Sequence, residues 1–187
     1  MKIAILGWGS LIWNTEVLKI KDCWEMNGPS LPIEFARISR KWPLTLVIYP
    51  DASEVQVLWA LSVYKILSEA IENLRCREET STNNIGFICI QNNRSHWHEA
   101  HKRILPTIRY WAAKKKFDAV VWTDLCSNFK KKTGNELNED NIIKYLRNLE
   151  GETLCKAKTY ICKAPEQIKT KIRLRIIQEF GWHLQKC

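Results

Sequence analysis

The chain has 187 residues, a length that suits one domain and allows roughly 70% of the unfolded chain's surface to be buried. Its hydrophobic content of 45% and charged content of 26% are ordinary for a globular protein and argue against intrinsic disorder. The net charge of +9 is compatible with a nucleic-acid partner, an anionic surface or an acidic small substrate. The basic residues are dispersed, with short runs only at 114–116 and 130–132, which favours a solvated basic surface over nucleic-acid binding.

The cysteines show no CxxC pair and no zinc-finger spacing, so they predict reduced thiols rather than a disulfide framework. They are Cys23, Cys76, Cys89, Cys126, Cys155, Cys162 and Cys187. The first residues lack a signal-peptide cleavage pattern. No stretch approaches the roughly 18 apolar residues of a membrane span. These features predict a cytoplasmic protein without a membrane segment.

The N-terminal half is typical of β-strands. Residues 2–6 form a short apolar run that ends at Gly7, as in a buried strand. Three further runs, at 31–40, 44–49 and 54–62, are rich in branched residues or alternate apolar and polar ones. Their short connections predict an antiparallel meander.

From residue 64 the apolar spacing becomes helical, which predicts a helix over 64–77. Further strands are predicted at 84–91 and 117–123, and further helices at 96–104, 107–116, 138–149, 152–163 and 166–180. Strands first, a mixed middle and helices last predict a single-domain α+β fold, in the form of a small mixed β-barrel surrounded by helices. The helical C-terminal part begins at about residue 138.

The turn Gly7-Trp8-Gly9-Ser10 directly follows the first predicted strand. Its two glycines permit positive φ and a close approach of the backbone to another group. Successive amides in such a turn can converge on an anion, and Ser10 adds a hydroxyl. The spacing matches neither a dinucleotide-binding turn nor a P-loop. A carboxylate or phosphate site and a purely structural turn therefore both stay open.

Arg77, Glu78 and Glu79 lie at the predicted end of a helix. An unpaired carboxylate there meets the negative end of the helix dipole, which disfavours its charged form. In a partly buried site this raises a glutamate pKa toward the range that suits proton transfer. The alternative is an ordinary solvated helix end.

His96, His98 and His101 lie on a predicted helix. His98 and His101 are three residues apart, so they share a face and could hold a metal ion with a third ligand from elsewhere. The pattern is not HExxH and no other ligand cluster is evident, so a polar, solvent-facing helix is favoured and no metal or cofactor is predicted. Trp122 and Thr123 end a predicted strand and are candidates for a pocket border, with core packing preferred.

Taken in order, an opening strand, a Gly-Ser-Leu turn, an Arg-bearing strand, a VxVxWAL strand and a helix ending in Arg-Glu resemble the gamma-glutamylcyclotransferase-like family. The stretches that carry the resemblance are Trp8-Gly9-Ser10-Leu11 and Leu74-Arg75-Cys76-Arg77-Glu78. The resemblance covers about the first ninety residues. Three features depart from the family pattern: Trp8 replaces a tyrosine, Val57 stands where many members have glycine, and Glu79 directly follows Glu78.

The resemblance implies a small mixed barrel and a reaction that forms 5-oxoproline, in which the substrate's α-amine attacks its own γ-carbonyl and expels the attached amine. It implies that Glu78 moves the proton and that no cofactor is needed. It also implies a turn that binds the γ-glutamyl substrate, with the residues Gly7, Trp8, Gly9, Ser10 and Leu11. A non-catalytic module that binds a small anion or a partner at the same place is the competing hypothesis, because one fold can host several functions.

Overall fold

We describe residues 1–182 of the protein from a computed structural model. The chain is a mixed α+β protein with nine strands and six α-helices in this range. The strands are β1 (Ile3–Gly7), β2 (Ile20–Glu25), β3 (Ser30–Arg37), β4 (Thr45–Ile48), β5 (Glu54–Gln56), β6 (Leu58–Ser62), β7 (Ile85–Cys89), β8 (Ser95–His96) and β9 (Ala119–Thr123). The helices are α1 (Leu67–Glu78), α2 (Leu105–Lys114), α3 (Phe129–Thr133), α4 (Glu139–Arg147), α5 (Gly151–Lys163) and α6 (Lys171–Phe180), with 3-10 turns at Thr82–Asn84 and Glu99–Ile104.

Six strands form one mixed sheet in the order β2-β6-β1-β9-β7-β8. The central pair, β1 and β9, is parallel, whereas the other neighbours are antiparallel. Both central strands are apolar along their length and almost wholly buried. A strand that is covered on both faces has apolar residues at successive positions. For this reason apolar and polar residues do not alternate in the sequences of β1 and β9.

The two faces of β1 pack against different parts of the protein. Ile3 and Ile5 belong to a cluster that includes Ala70 and Leu74 of α1. The residue between them, Ala4, points to the larger core, which also contains the second sheet and the C-terminal helices. Successive side chains of a strand point to opposite faces, so one short strand contributes to both layers.

The second sheet has three strands in the order β4-β3-β5. The run predicted as one strand over 54–62 is divided at Val57, so that β5 pairs with β3 whereas β6 pairs with β1 and β2. The backbone of Val57 still pairs with the β2–β3 connection, through bonds to Gly28 (3.1 Å) and Pro29 (3.0 Å). This chain segment therefore links the two sheets.

The predicted barrel is wrong in one respect: the strands of residues 1–182 form two sheets and no closed barrel. The loop after β9 bonds the end of β3 through two of its side chains. The Ser127 hydroxyl donates to Ala36 O (2.7 Å), and the Asn128 side chain bonds both Ile38 N (2.8 Å) and Ile38 O (2.9 Å). Side chains thus satisfy the backbone groups that a further strand would need to pair with the end of β3.

Most predicted elements are confirmed, including α1, β7, β9 and α4. The stretch 96–104 is not one helix, because it divides into the short strand β8 and a 3-10 turn. The last predicted helix begins only at Lys171, where the Thr170 side chain caps it by accepting from Arg173 N. The edge strand β2 was not predicted, because its sequence IKDCWE is charged and largely exposed.

The cysteines of residues 1–182 are free thiols, as predicted, and Cys187 lies outside the described residues. Buried Arg173 organises the turn between α5 and α6 by donating to main-chain carbonyls. These belong to Ile161 (3.0 Å), Ala164 (2.5 Å), Pro165 (2.6 Å) and Ile168 (2.9 Å). A charged donor that serves several buried acceptors contributes far more than an exposed ion pair.

We expect Arg173→Met to lower the free energy of unfolding by about 3 kcal/mol, because the carbonyls lose their donor inside the protein. The control is Arg175→Met on the same helix, which removes a more exposed guanidinium that pairs with Glu179 at 3.3 Å. That change should cost less than about 1 kcal/mol. Urea unfolding of both variants measures the difference. Equal losses would show that the carbonyl contacts do not stabilise the turn.

Candidate active site

A cavity of about 530 Å³ opens beside the end of β1. Its wall comes from the turn after β1, the β3–β4 hairpin, the C-terminal end of α1, the loop after β9 and one residue of α5. The lining includes Trp8, Gly9, Ser10, Leu11, Arg37, Arg40, Lys41, Leu46, Arg77, Glu78, Glu79, Thr123 and Tyr160. The two constellations that the sequence singled out therefore border one cavity.

Glu78 is the last residue of α1, and its carboxylate faces the cavity with only 15% of its side chain exposed. Burial raises the pKa of Glu78 above its usual value, and the charge of Arg77 only partly opposes this effect. The sequence analysis considered an unpaired carboxylate at the end of this helix. In the structure the carboxylate is paired, because its Oε1 lies 2.6 Å from Arg77 Nη1. A partly buried glutamate with a raised pKa suits proton transfer.

Arg77 joins the end of α1 to the turn after β1. Its Nη2 donates to Ser10 Oγ (3.1 Å) and to Asn14 O (2.8 Å), while Nη1 binds Glu78. The guanidinium is buried and planar, so its fork of donors holds these groups in a fixed relation. Residues 67 positions apart in the sequence are thus brought to one site.

The turn residues are not equivalent. Trp8, Gly9, Ser10 and Leu11 line the cavity, whereas Gly7 pairs with Leu58 at the end of β1 and lies outside the lining. The amides of Gly9 and Leu11 donate no hydrogen bond to residues 1–182. Free amides in a partly enclosed turn can bind an anion.

The two glycines of the turn are needed for close contact rather than for positive φ, which neither adopts. A Cβ atom on Gly9 would lie 2.3 Å from the Tyr160 hydroxyl, and one on Gly7 would lie 2.7 Å from the Trp24 ring. Both distances are shorter than the contact distance of non-bonded heavy atoms, so a side chain at either position would displace its neighbour. The side chains that occupy these spaces come from distant parts of the chain, which the sequence pattern could not show.

Trp8 forms a wall of the cavity. It is 5% exposed, and its indole Nε1 donates to Leu46 O of β4 at 3.3 Å. A buried tryptophan needs such a partner for its N–H group. The residue therefore fixes the distance between the turn and the second sheet.

Tyr160 of α5 is a site residue that the sequence analysis missed. Its hydroxyl accepts from Leu46 N at 3.4 Å and lies at the turn, against Gly9. Burial raises the pKa of Tyr160, and the nearby charge of Glu78 raises it further. The hydroxyl therefore stays protonated at neutral pH. No local motif marks this tyrosine, since only the packing of α5 against β4 brings it to the turn.

Arg37 at the end of β3 is a second missed residue. The β3–β4 register shifts between Phe35 and Arg37, so one extra residue is inserted next to the cavity. Such a bulge changes the direction of the side chain that follows it. Arg37 Nη1 donates to Cys126 O at 2.7 Å, which ties the guanidinium to the loop after β9.

His101 is buried, so the predicted solvent-facing helix is wrong at this position. Its Nδ1 lies 2.6 Å from Asp124 Oδ1, and the same carboxylate accepts from His98 N (2.5 Å) and Trp122 Nε1 (3.1 Å). Burial acts to raise the pKa of Asp124, but these hydrogen bonds outweigh it and lower the pKa. The histidine thus holds the start of the loop that carries Cys126.

No group of three metal-ligating side chains occurs among residues 1–182. Trp122 is fully buried, as core packing predicts, whereas Thr123 lines the cavity. The Thr123 hydroxyl is buried and has no hydrogen-bond partner within the described part of the chain. A buried polar atom without a partner is costly, and this hydroxyl is therefore available for a hydrogen bond to a molecule in the cavity.

Comparison of the chain with protein-family models, with curated proteins and with solved structures gives no match. Within residues 1–182, none of the helices has the length and hydrophobicity needed to cross a lipid bilayer.

Proposed function

We propose that the chain is a gamma-glutamylcyclotransferase-like enzyme, which releases an amine or amino acid and 5-oxoproline from a γ-glutamyl substrate. The observation that carries this proposal is the contact of Arg77 with both Ser10 and Glu78. These residues belong to the two short motifs of the family resemblance, and they meet at one cavity. The Gly9 and Leu11 amides, which donate no hydrogen bond within residues 1–182, and the partly buried carboxylate of Glu78 together suit an intramolecular amide transfer.

The carboxylate of Glu78 accepts a proton from the substrate's α-ammonium group. The amine nitrogen then attacks the γ-carbonyl carbon, forming the ring C–N bond, and the former amide C–N bond breaks. Glu78 gives this proton to the departing nitrogen and then takes the second proton from the ring nitrogen. It passes that proton to the released amine, which leaves as an ammonium ion, so the enzyme is unchanged at the end. Its raised pKa makes the carboxylate a stronger base for taking the proton from the ammonium group, and general acid–base catalysis of this kind contributes roughly 10²- to 10⁴-fold.

The turn binds and orients the substrate. The amides of Gly9 and Leu11, which have no acceptor within the described part of the chain, suit the α-carboxylate or the oxyanion that develops on the γ-carbonyl. Because the attack is intramolecular, holding the substrate in its folded conformer supplies several kcal/mol of the rate enhancement.

Tyr160 supplies a hydroxyl where the family's tyrosine is replaced by Trp8. The phenol lies against Gly9, close enough to Glu78 for the carboxylate to raise its pKa. A phenol that stays protonated is a hydrogen-bond donor to substrate oxygen atoms. On this proposal, the two sheets correspond to the family's small mixed barrel, opened where Ser127 and Asn128 bond β3.

The test is detection of 5-oxoproline by mass spectrometry after the purified protein is incubated with γ-glutamyl amino acids, γ-glutamyl amines and glutathione. We expect stoichiometric 5-oxoproline and free leaving amine from at least one compound, without added metal or cofactor. Saturable binding of a γ-glutamyl compound to the folded protein without product would contradict the proposal and favour the non-catalytic binding module.

A further inference from the structure

We infer that Arg37 binds a carboxylate on the leaving group, so that the substrates are γ-glutamyl amino acids or peptides rather than γ-glutamyl amines. This inference rests on the proposed function, and it concerns the leaving group rather than the γ-glutamyl part of the substrate. It assigns a specificity-determining role to Arg37, in addition to the proton transfer by Glu78 and the binding by the turn.

Arg37 lines the cavity, is partly buried and forms no ion pair within residues 1–182, whereas the other unpaired charges of the lining, Arg40 and Glu79, are exposed. Lys41 pairs with Glu16, and Arg77 pairs with Glu78. No carboxylate of residues 1–182 lies within ion-pair distance of Arg37. A partly buried charge without a counter-ion is disfavoured, so an anionic ligand at this place relieves a cost that the free protein bears.

The guanidinium retains donors for a ligand. Nη1 binds Cys126 O, whereas Nε and Nη2 have no hydrogen-bond partner among residues 1–182. Those two groups form the side of the fork that matches a carboxylate. Burial lowers the pKa of Arg37, which shows the same lack of compensation for its charge.

The position of Arg37 is fixed before any ligand binds. The bulge between Phe35 and Arg37 sets the backbone, and the bond to Cys126 O sets the guanidinium. The loop around Cys126 is held by the buried pair of His101 and Asp124. A donor that is already oriented loses little entropy on binding, so its discrimination between ligands is large.

The same cavity is lined by Thr123, from the strand that precedes the Cys126 loop, and its hydroxyl has no hydrogen-bond partner within residues 1–182. A leaving group with a carboxylate offers acceptors to such donors, whereas a simple alkylamine offers none. Hydrogen bonds to charged groups are worth about 1.5–3 kcal/mol, which corresponds to roughly 10- to 150-fold in specificity.

The experiment uses γ-glutamylalanine and γ-glutamylethylamine, which differ only by the carboxylate of the leaving group. We expect the wild type to have a kcat/KM for the alanine compound that is roughly 10- to 100-fold higher. Arg37→Gln should bring this ratio close to one by lowering the value for the alanine compound alone. Arg37→Lys, which keeps the charge but not the fork, should give an intermediate ratio.

Arg103→Gln is the control, because it removes an exposed positive charge that does not line the cavity. It should keep the wild-type ratio. The inference is overturned if Arg37→Gln lowers kcat/KM equally for both compounds. It is also overturned if the wild type has the same kcat/KM for the alanine and the ethylamine compound. Circular dichroism of each variant shows whether it is folded.

Calorimetric binding of the two compounds to Glu78→Gln separates this inference from the proposed function. A preference for the alanine compound that disappears in Glu78→Gln/Arg37→Gln supports the carboxylate subsite, even if the wild type makes no product. Turnover of both compounds at equal rates supports the proposed function and overturns the subsite.

Discussion

Replacing Glu78 with glutamine is expected to lower kcat/KM by roughly 10²- to 10⁴-fold while leaving the protein folded. The amide keeps the shape of the side chain and an oxygen that can accept from Arg77 Nη1, but it cannot take a proton from the substrate's amine. The measurement is the rate of 5-oxoproline formation by wild type and variant under the same conditions. Full activity of the folded variant would exclude Glu78 as the proton-transfer residue.

Glu79→Gln is the matched control, because Glu79 is the next residue and is exposed. It follows the end of α1 in a left-handed conformation, with φ of 48°, and forms no ion pair among residues 1–182. A much smaller loss of activity is expected. If this variant lost activity and Glu78→Gln did not, the catalytic assignment would move by one residue.

Stability provides a second readout of the Glu78 substitution. Its pKa is raised in the folded state above the ordinary value of 4.5, so its contribution to stability is complete below that value and is lost as the pH rises through the folded pKa. The glutamine variant does not have this loss. As the pH rises above about 4.5, the free energy of unfolding of the variant should therefore increase relative to that of the wild type, which denaturant unfolding measures.

Gly9→Ala is expected to lower the free energy of unfolding by about 1–3 kcal/mol, because the added methyl group meets the Tyr160 hydroxyl at 2.3 Å. The turn or α5 must move, and displacement of catalytic groups by about 1 Å can cost roughly 10²-fold in rate. Denaturant unfolding and the 5-oxoproline assay measure the two effects.

A double-mutant cycle with Tyr160→Phe tests whether the Tyr160 hydroxyl causes the loss of stability in Gly9→Ala. Without the hydroxyl, the closest ring atom to the new methyl group is Tyr160 Cζ at 3.3 Å, which a small shift can relieve. Gly9→Ala should therefore cost much less stability in the Tyr160→Phe background than in the wild type. Equal costs in both backgrounds would show that another contact limits the turn.

Local sequence signals predicted the parts of the fold that depend on local chemistry. The apolar runs at β1 and β9 and the helical spacing of α1 correspond to the observed elements, and α1 ends at Glu78, one residue beyond the prediction. The turn after β1 and the Arg-Glu pair were also found, because each is a short contiguous motif. Their meeting at one cavity followed only from the family resemblance.

The remaining features depend on contacts between distant residues. Tyr160 reaches the turn from α5, and Arg37 enters the cavity lining through a one-residue bulge, which no periodicity reveals. His101 lies on a polar stretch but is buried by its pairing with Asp124. The Ser127 and Asn128 side chains bond the end of β3 from about 90 residues further along the chain. A single sequence shows none of these pairings.

The parallel pairing of β1 with β9 has a consequence for biosynthesis. The motifs of the family resemblance lie in the first ninety residues. The backbone groups along one edge of β1, however, have no strand to pair with until residues 119–121 have left the ribosome. This edge belongs to an apolar strand that is buried on both faces in the finished protein. Exposed strand edges pair readily with other chains, so the nascent chain is prone to association until β9 has been made.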